Sequence, residues 1–492
     1  MKKIKKAISC SADLAGKFMI LCGLLCAVPL LTGLFFPLQP GELEAFGIPA
    51  GVSILTGSSV CWKARAQDPD VPRPLQIQKS GSFVLFAWLY GILIGALPFV
   101  LAGRLNFIQA LFESVSGWTT TGLSVLDVSE VSPMFLFHRG FMQYCGGLGF
   151  VMVMTLFVVN RQSMNLVLAE GHSDQLAPNL SRTVRLICLM YTTFLALGTA
   201  AYRLAGMNVF DSLIHAMCAL STGGFSTRAQ SIGYYQSPLI EFITVVLMLI
   251  GTTNFAALLL LMRGQLRKFL AVSEIRFLGL ILAAAIPLTA LVLFCAAYTG
   301  LPGSFRIAFF EVISALSTSG FSTVGYADWP QAAVFLLILM MLIGGGIGST
   351  AGGLKLTRVY LMLRGLGDHL RRRGAPRQTV SCSFYTRPQG KTVIDQKLLE
   401  GTSCFVFCYF LIYLGGTFLL ILTANCTLIE AMFDFASALG TVGLSIGITG
   451  PATPALALIV EMAGMLLGRL EIFILLAGIR TVFLRLKAAI CR

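Results

Sequence analysis

Apolar runs of about 20 residues, parted by short polar connections, recur along nearly the whole 492-residue chain. A run of that length crosses a bilayer as a helix, the one single-segment structure that satisfies its own backbone polar groups in hydrocarbon. Two such runs open the chain, at about 14–36 and about 45–61. A polar connection from Asp68 to Gln78 follows, broken by Pro69, Pro72 and Pro74. A longer unit then repeats four times: a long span, a half-length amphipathic segment, a Thr/Ser/Gly turn and a second long span. The paired spans fall at about 82–103 and 134–160, 183–204 and 236–262, 275–299 and 331–363, and 402–425 and 455–483. The half-length segments, at about 107–118, 208–220, 304–316 and 427–439, are too short to cross and predict re-entrant helices. The reading is an all-α polytopic membrane protein of about ten crossings, with both termini cytoplasmic. It divides into two N-terminal transmembrane helices (1–66), pore repeats 1 (67–165), 2 (166–268) and 3 (269–364), a cytoplasmic basic loop (365–400) and pore repeat 4 (401–492).

Composition agrees: 56% of residues are hydrophobic and 12% charged, about half the charged share of soluble domains. The first apolar run is too long for the core of a signal peptide and no clear small-residue cleavage site follows it, so it reads as a retained span. The net charge of +14 raises the question of nucleic acid, but its distribution answers otherwise. Basic residues gather in every second connection: Lys63 and Arg65; Arg182 and Arg185; Arg263, Arg267 and Lys268; Arg371, Arg372 and Arg373; Arg485 and Lys487. That alternation marks one cytoplasmic face, and no nucleic-acid partner is expected. The polar stretch from Gly365 to Lys397, with Arg377, Arg387 and Lys391, fits either a loop held to anionic lipid headgroups or a docking surface for a cytosolic partner. The thirteen cysteines are scattered; Cys22/Cys26 and Cys404/Cys408 lie one helical turn apart and read as packed membrane residues.

Each half-length segment ends in a similar turn: Thr120-Thr121-Gly122-Leu123-Ser124, Thr222-Gly223-Gly224-Phe225-Ser226, Thr318-Ser319-Gly320-Phe321-Ser322 and Thr441-Val442-Gly443-Leu444-Ser445. A dehydrated cation needs a ring of oxygens in place of its water shell, and four loops of backbone carbonyls supply one. Glycine permits the backbone geometry that points successive carbonyls one way. The C-terminal end of the short helix before each turn carries partial negative charge, which favours a cation. One such turn means little; four in equivalent places predict a filter. The middle residues differ (Thr121, Gly223, Ser319, Val442), so the ring is expected to be pseudo-symmetric, with fewer well-formed ion sites than a strictly four-fold filter. Nine residues before the filter glycine stand Glu113, His215, Glu311 and Asp434, with Asp211 one turn before His215. These are either structural acids satisfied inside the bundle or charges that concentrate cations near the filter.

On the four turns, the stretch Gly344-Gly345-Gly346-Ile347-Gly348-Ser349-Thr350-Ala351-Gly352-Gly353-Leu354-Lys355 and Gly468-Arg469-Leu470-Glu471, the chain resembles the Trk/Ktr/HKT superfamily of potassium transporters, the TrkH/TrkG type in particular. The resemblance covers nearly the whole chain, and the two leading spans favour the TrkH/TrkG type. It implies four membrane-pore-membrane repeats around one pore, a homodimer with a pore in each subunit, and a separate cytosolic NAD/ATP-binding regulatory subunit of the TrkA type. It implies K+ held by Thr120, Thr121, Gly122, Thr222, Gly223, Gly224, Thr318, Ser319, Gly320, Thr441, Val442 and Gly443, with Gly122 going with potassium rather than sodium. It places a gate below the filter, in the loop of Gly344, Gly345, Gly346, Gly348, Gly352 and Gly353, with Arg469 paired to it and Lys355 in the same vestibule. The setting is the bacterial cytoplasmic membrane.

The residues themselves leave alternatives. Six glycines between Gly344 and Gly353 disfavour a regular helix, each by about 1 kcal/mol relative to Ala, yet small residues also suit a close packing face. Family members usually have a further Gly where this chain has Ala351. A charge at Arg469, mid-span, needs a cavity or a partner, and Glu461 and Glu471 are available for an ion pair. The run Gly346-Ile347-Gly348-Ser349-Thr350-Ala351 mimics a dinucleotide fingerprint, but in an apolar span rather than after a soluble strand, so no organic cofactor is expected here. No enzyme is expected either: His138, His172, His215 and His369 form no catalytic or metal-binding motif. The expected function is potassium uptake through a channel-like pore. Sodium or mixed-cation transport on the same scaffold, and secondary transport of a larger solute, are the competing readings.

Overall fold

The computed structural model describes residues 2–67, 77–149, 180–296, 299–374, 383–470 and 472. The proline-broken connection after Asp68, the distal parts of the second spans of repeats 1 and 4, His172, Arg377, Glu471 and the cluster at Arg485 and Lys487 lie outside the described residues. Helix α1 (Lys2–Ala27) runs into a 3-10 turn (Val28–Leu34), and α2 (Glu42–Gln67) packs back along it. Both rest on α3 (Ile77–Leu101), the first span of repeat 1.

Each repeat then shows the expected triplet. Repeat 1 has α3, the short α4 (Phe107–Trp118) and α5 (Pro133–Leu148). Repeat 2 has α6 (Leu180–Leu204), the short α7 (Val209–Leu220), and α8 (Pro238–Thr252) followed by α9 (Phe255–Met262). A six-residue helix, α10 (Leu266–Ala271), leads into repeat 3: α11 (Ser273–Cys295), the short α12 (Leu301–Leu316), α13 (Gln331–Ile343) and α14 (Leu356–Gly374). Repeat 4 has α15 (Gln396–Ala424), the short α16 (Leu428–Gly440) and α17 (Ala455–Arg469). The short helices start at polar caps: Asn106 accepts from Gln109 N at 2.9 Å, Asn208 from Asp211 N at 2.7 Å, and Thr427 forms a capping box with Glu430. The third starts at Leu301, earlier than the sequence suggests, because Pro302 suits a first turn that donates no hydrogen bond there.

Two expectations change. The second span of repeat 2 is not one helix: α8 and α9 meet at 115°. Asn254 is the cause, its side chain accepting from Ala256 N at 2.7 Å and starting a new helix in mid-membrane. Among the described residues six helices are long and apolar enough to cross a membrane, or seven with the bent pair as one span. The second helices of all four repeats stop or bend a similar distance after their filter turn, at Gly149, Thr253, Gly344 and Leu470. Second, the polar stretch after Gly365 carries secondary structure where it is described. Helix α14 continues to Gly374, and a two-stranded hairpin, β1 (Phe384–Arg387) against β2 (Gly390–Val393), docks on the start of α11, where Thr386 N donates to Ser273 Oγ at 2.9 Å.

The core follows the repeats. One apolar cluster joins repeats 2, 3 and 4; another joins the two leading helices to repeat 1 and reaches Leu458 and Met465 of α17. Large apolar side chains that stay exposed, such as Leu197, Leu280, Leu291, Phe407, Phe418 and Leu422, lie on the first spans of repeats 2, 3 and 4. That is the outer face a bilayer covers.

Candidate functional site: four turns around one axis

The four short helices converge, and each ends in the same backbone path. The N–H of the turn threonine bonds three residues back (Thr120 to Gly117 O, Thr222 to Ala219 O, Thr318 to Ala315 O, Thr441 to Ala438 O, all 3.2 Å), and the next N–H reaches five back. The chain then alternates hand. Thr120, Thr222, Thr318 and Thr441 have φ of 51–56°, the middle residue returns to negative φ, and Gly122, Gly224, Gly320 and Gly443 have φ of 71–101°. Positive φ is uncommon for a non-glycine residue, and a repeated alternation of sign turns successive carbonyls to one side. Four of the eight positive-φ non-glycine residues described are these threonines.

The turns close into a ring. A Cβ placed on Gly122 would run into Gly223 O, one on Gly224 into Ser319 O, one on Gly320 into Val442 O, and one on Gly443 into Thr121 O. The order is repeat 1 to 2 to 3 to 4 and back to 1, so each glycine lets its turn approach the carbonyl of the next. The hydroxyls of Thr120 and Thr441 are buried without a hydrogen-bond partner. The side chains of Leu123, Phe225, Phe321 and Leu444 are at most 2% exposed and wedge behind the ring.

The buried acids hold the chain just beyond each turn. Glu113 accepts from Ser124 Oγ at 3.0 Å, Val125 N at 3.2 Å and Arg139 Nε at 2.5 Å. Glu311 takes Thr323 N and Oγ1, each at 2.8 Å, and the Tyr326 hydroxyl at 2.5 Å. Asp434 takes Ser445 Oγ at 2.7 Å, Ile446 N at 2.9 Å and Thr449 N at 3.3 Å. In repeat 2, His215 Nε2 bonds Ser226 Oγ at 2.9 Å, while Asp211 gathers Thr227 Oγ1, Arg228 Nη2 and Tyr235 OH at 2.6–3.0 Å. The structure thus favours the structural reading of these acids. Sequence reasoning missed Arg139, stacked 3.9 Å over the Phe225 ring, and Gln143, which donates to Gly223 O at 2.5 Å and accepts from Phe225 N at 3.1 Å. A charged and an amide side chain inside the run about 134–160 were their only signal.

Helix α13 stops at Gly344, and an irregular loop runs from there to α14. Its backbone is bonded to repeat 2: Gly346 N to Thr252 O at 3.0 Å, Thr350 N to Gly251 O at 3.2 Å, and Phe255 N to Gly348 O at 3.1 Å. Asn254 Nδ2 holds Ile347 O at 2.6 Å, and Glu274 of α11 accepts from Ile347 N at 2.8 Å and Thr357 Oγ1 at 2.7 Å. The loop touches three turns at once. Thr350 Oγ1 lies 3.2 Å from Thr222 Oγ1, Gly352 N donates to Thr318 Oγ1 at 2.9 Å, and a Cβ on Gly352 would collide with Thr441 Oγ1. Gly345, Gly346, Gly348 and Gly353 all belong to this loop, and Lys355, at φ 77°, turns its ammonium back to Ala351 O.

Arg469 ends α17 beside the loop. Its Nη1 donates to Thr350 O at 3.0 Å and its Nη2 to Gly146 O of α5 at 2.6 Å. It does not pair with Glu461, which lies two helical turns away and takes Thr449 Oγ1 at 2.9 Å. The guanidinium therefore ties repeat 4, the loop of repeat 3 and the broken end of repeat 1 together under the ring.

The family model of TrkH, a cation transport protein, matches residues 52–480. The chain belongs to the TrkH family. Curated relatives include the Trk system potassium uptake protein TrkH of Halomonas elongata, 30% identical over 481 residues, which are 93% of this chain and 95% of that protein. The Trk system potassium uptake protein TrkG of Escherichia coli is 30% identical over 417 residues, 81% and 84% of the two chains. Among solved structures, the crystal structure of the potassium transporter TrkH from Vibrio parahaemolyticus superposes with a TM-score of 0.82 at 27% identity, covering 95% of this chain and 98% of that one. The TrkH-family membership and that likeness agree with a predominantly helical, multi-pass membrane protein of the transport class.

Proposed function

We propose that this TrkH-family member takes up potassium through one channel-like pore whose selectivity filter is the ring of four turns. The reading rests on cyclic closure: each filter glycine meets the middle carbonyl of the next turn, and the fourth meets the first. Four carbonyl loops with helix C-termini behind them make an uncharged, oxygen-lined constriction suited to a dehydrated monovalent cation. Thr120 and Thr441 add unengaged hydroxyl oxygens. The names of the relatives support K+ as that cation.

The Gly-rich loop is the gate in this reading, and Arg469 its latch. What supports it is that Thr350 and Gly352 of the loop meet three of the four turns, and in this reading a guanidinium beside them repels an approaching cation in a low-dielectric passage. Opening requires Thr350 and Gly352 to leave the turns and Arg469 to release Thr350 O. The cytoplasmic hairpin and α14 connect to that loop through α11, which suits control by a cytosolic nucleotide-binding subunit. The resemblance adds a homodimer, bacterial inner-membrane placement and cytoplasmic termini.

Uptake measured in potassium-uptake-deficient bacteria tests the reading. Growth on limiting potassium with K+ preferred over Na+ is expected. Failure to rescue growth while sodium influx rises would overturn it in favour of sodium transport.

A further inference from the structure

The buried frame behind the filter is charge-balanced in repeat 1 and not in repeat 4. In repeat 1 the seventh residue of the second helix, Arg139, pairs with Glu113 at 2.5 Å. The seventh residue of the second helix in repeat 4 is Glu461, so a second carboxyl stands where repeat 1 has a guanidinium. Glu461 and Asp434 are both 0% exposed. Among the described residues neither carboxyl has an ion pair, and Glu461 Oε2 has no hydrogen-bond partner. One hydroxyl joins them: Thr449 Oγ1 lies 2.9 Å from Glu461 Oε1 and 3.2 Å from Asp434 Oδ2.

A hydroxyl carries one hydrogen and cannot donate to two carboxylates at once. Two ionised carboxylates in this dry frame would also leave a buried charge unpaired, which is strongly unfavourable. Asp434 accepts from two backbone N–H groups and the hydroxyls of Ser445 and Thr449, a set suited to an anion. Glu461 has the Thr449 hydroxyl alone. We propose that Glu461 is a proton-binding site: its carboxylic acid donates to Thr449 Oγ1, which donates to Asp434, which in turn anchors the chain just past filter turn 4. The proton takes the place of the positive charge that Arg139 supplies in repeat 1.

The other titratable and charged groups on the elements packed around α17 are Glu430 at the start of α16, Cys426 just before it, Lys397, Glu400, Cys404, Cys408, Tyr409 and Tyr413 on α15, and Glu113 on α4 with its partner Arg139 on α5, while Arg469 of α17 itself bonds Thr350 O and Gly146 O. None supplies a cation to Glu461. Access is from the loop after turn 4, whose Gly447, Pro451 and Ala452 are exposed and whose Thr449 is half-buried. Losing the proton at high external pH sets a second negative charge against Asp434 and loosens its hold on Ser445, Ile446 and Thr449. Transport therefore falls as external pH rises.

Two measurements test this, and only the second depends on the filter reading. Infrared difference spectra of purified protein between about pH 6 and about pH 9 should show a protonated-carboxyl carbonyl band that is lost at high pH and is absent from Glu461→Gln. The same titrating band in E461Q would overturn the proposal. Rubidium uptake into proteoliposomes should drop on the order of tenfold over that range in the unmodified protein and less than about twofold in E461Q, whose amide keeps a donor to Thr449. An equal drop in both would also overturn it. If no variant carries rubidium, the filter reading fails while the infrared result still decides the proton site.

Discussion

At the scale of single residues, the site is built from groups whose freedom has been removed. Gly122 has φ of 96° and faces Gly223 O, so any side chain there is strained and crowds the ring. Gly122→Ser is expected to cut the preference for K+ over Na+ on the order of tenfold, ~1.4 kcal/mol, in competitive flux measurements; unchanged selectivity would remove Gly122 from the filter. Arg139 and Glu113 are 2% and 0% exposed, and breaking such a pair leaves a buried charge. Arg139→Leu should lower stability by about 3–5 kcal/mol, read as an earlier thermal transition in detergent, while Arg139→Leu with Glu113→Gln recovers part of the loss. The register of the acids was legible in the sequence because nine residues of helix and turn separate each from its glycine. Their partners were not, since Arg139, Tyr326 and Thr449 reach them across turns whose course the residue order does not state.

At the scale of elements, half-length helices, polar caps and turns were readable because length, periodicity and cap chemistry are local. The breaks in the second spans were partly hidden. Six glycines flag the loop after Ile343, but repeat 2 bends 115° at Thr252-Thr253-Asn254, where one side-chain cap within an apolar run was the only clue. The hairpin at 384–393 was also missed, because four-residue strands in a basic stretch carry little period. In the proposed gate the loop and the bent helix act together, since they are hydrogen-bonded to each other. Thr350 Oγ1 reaches Thr222 Oγ1, Leu220 O and Gly251 O within 3.2 Å. Thr350→Val keeps the shape and removes those contacts, so basal flux should rise about threefold, ~0.65 kcal/mol, in uptake assays. Arg469→Ala removes both the latch and the repelling charge and should raise basal flux by about tenfold or more. Unchanged or lower flux in well-folded protein would contradict a barrier role.

At the scale of the whole molecule, four repeats enclose one axis with equal backbones and unequal supports. Repeat 1 balances its acid with Arg139, repeat 2 moves the acid to Asp211 beside Arg228, repeat 3 uses Tyr326, and repeat 4 sets Glu461 against Asp434. Gln143 also holds the Gly223 carbonyl, so the four turns do not offer a cation identical oxygens. Duplication accounts for the ring, and the divergence of its supports leaves room for the proposed gate in repeat 3 and the proposed latch and proton site in repeat 4. Anomalous diffraction from crystals grown in rubidium decides whether the turns form one cation filter. Density is expected on the axis among the turns at Thr121, Gly223, Ser319 and Val442, displaced when K+ is added in excess. No density there, with rubidium found elsewhere in a well-ordered pore, would contradict it.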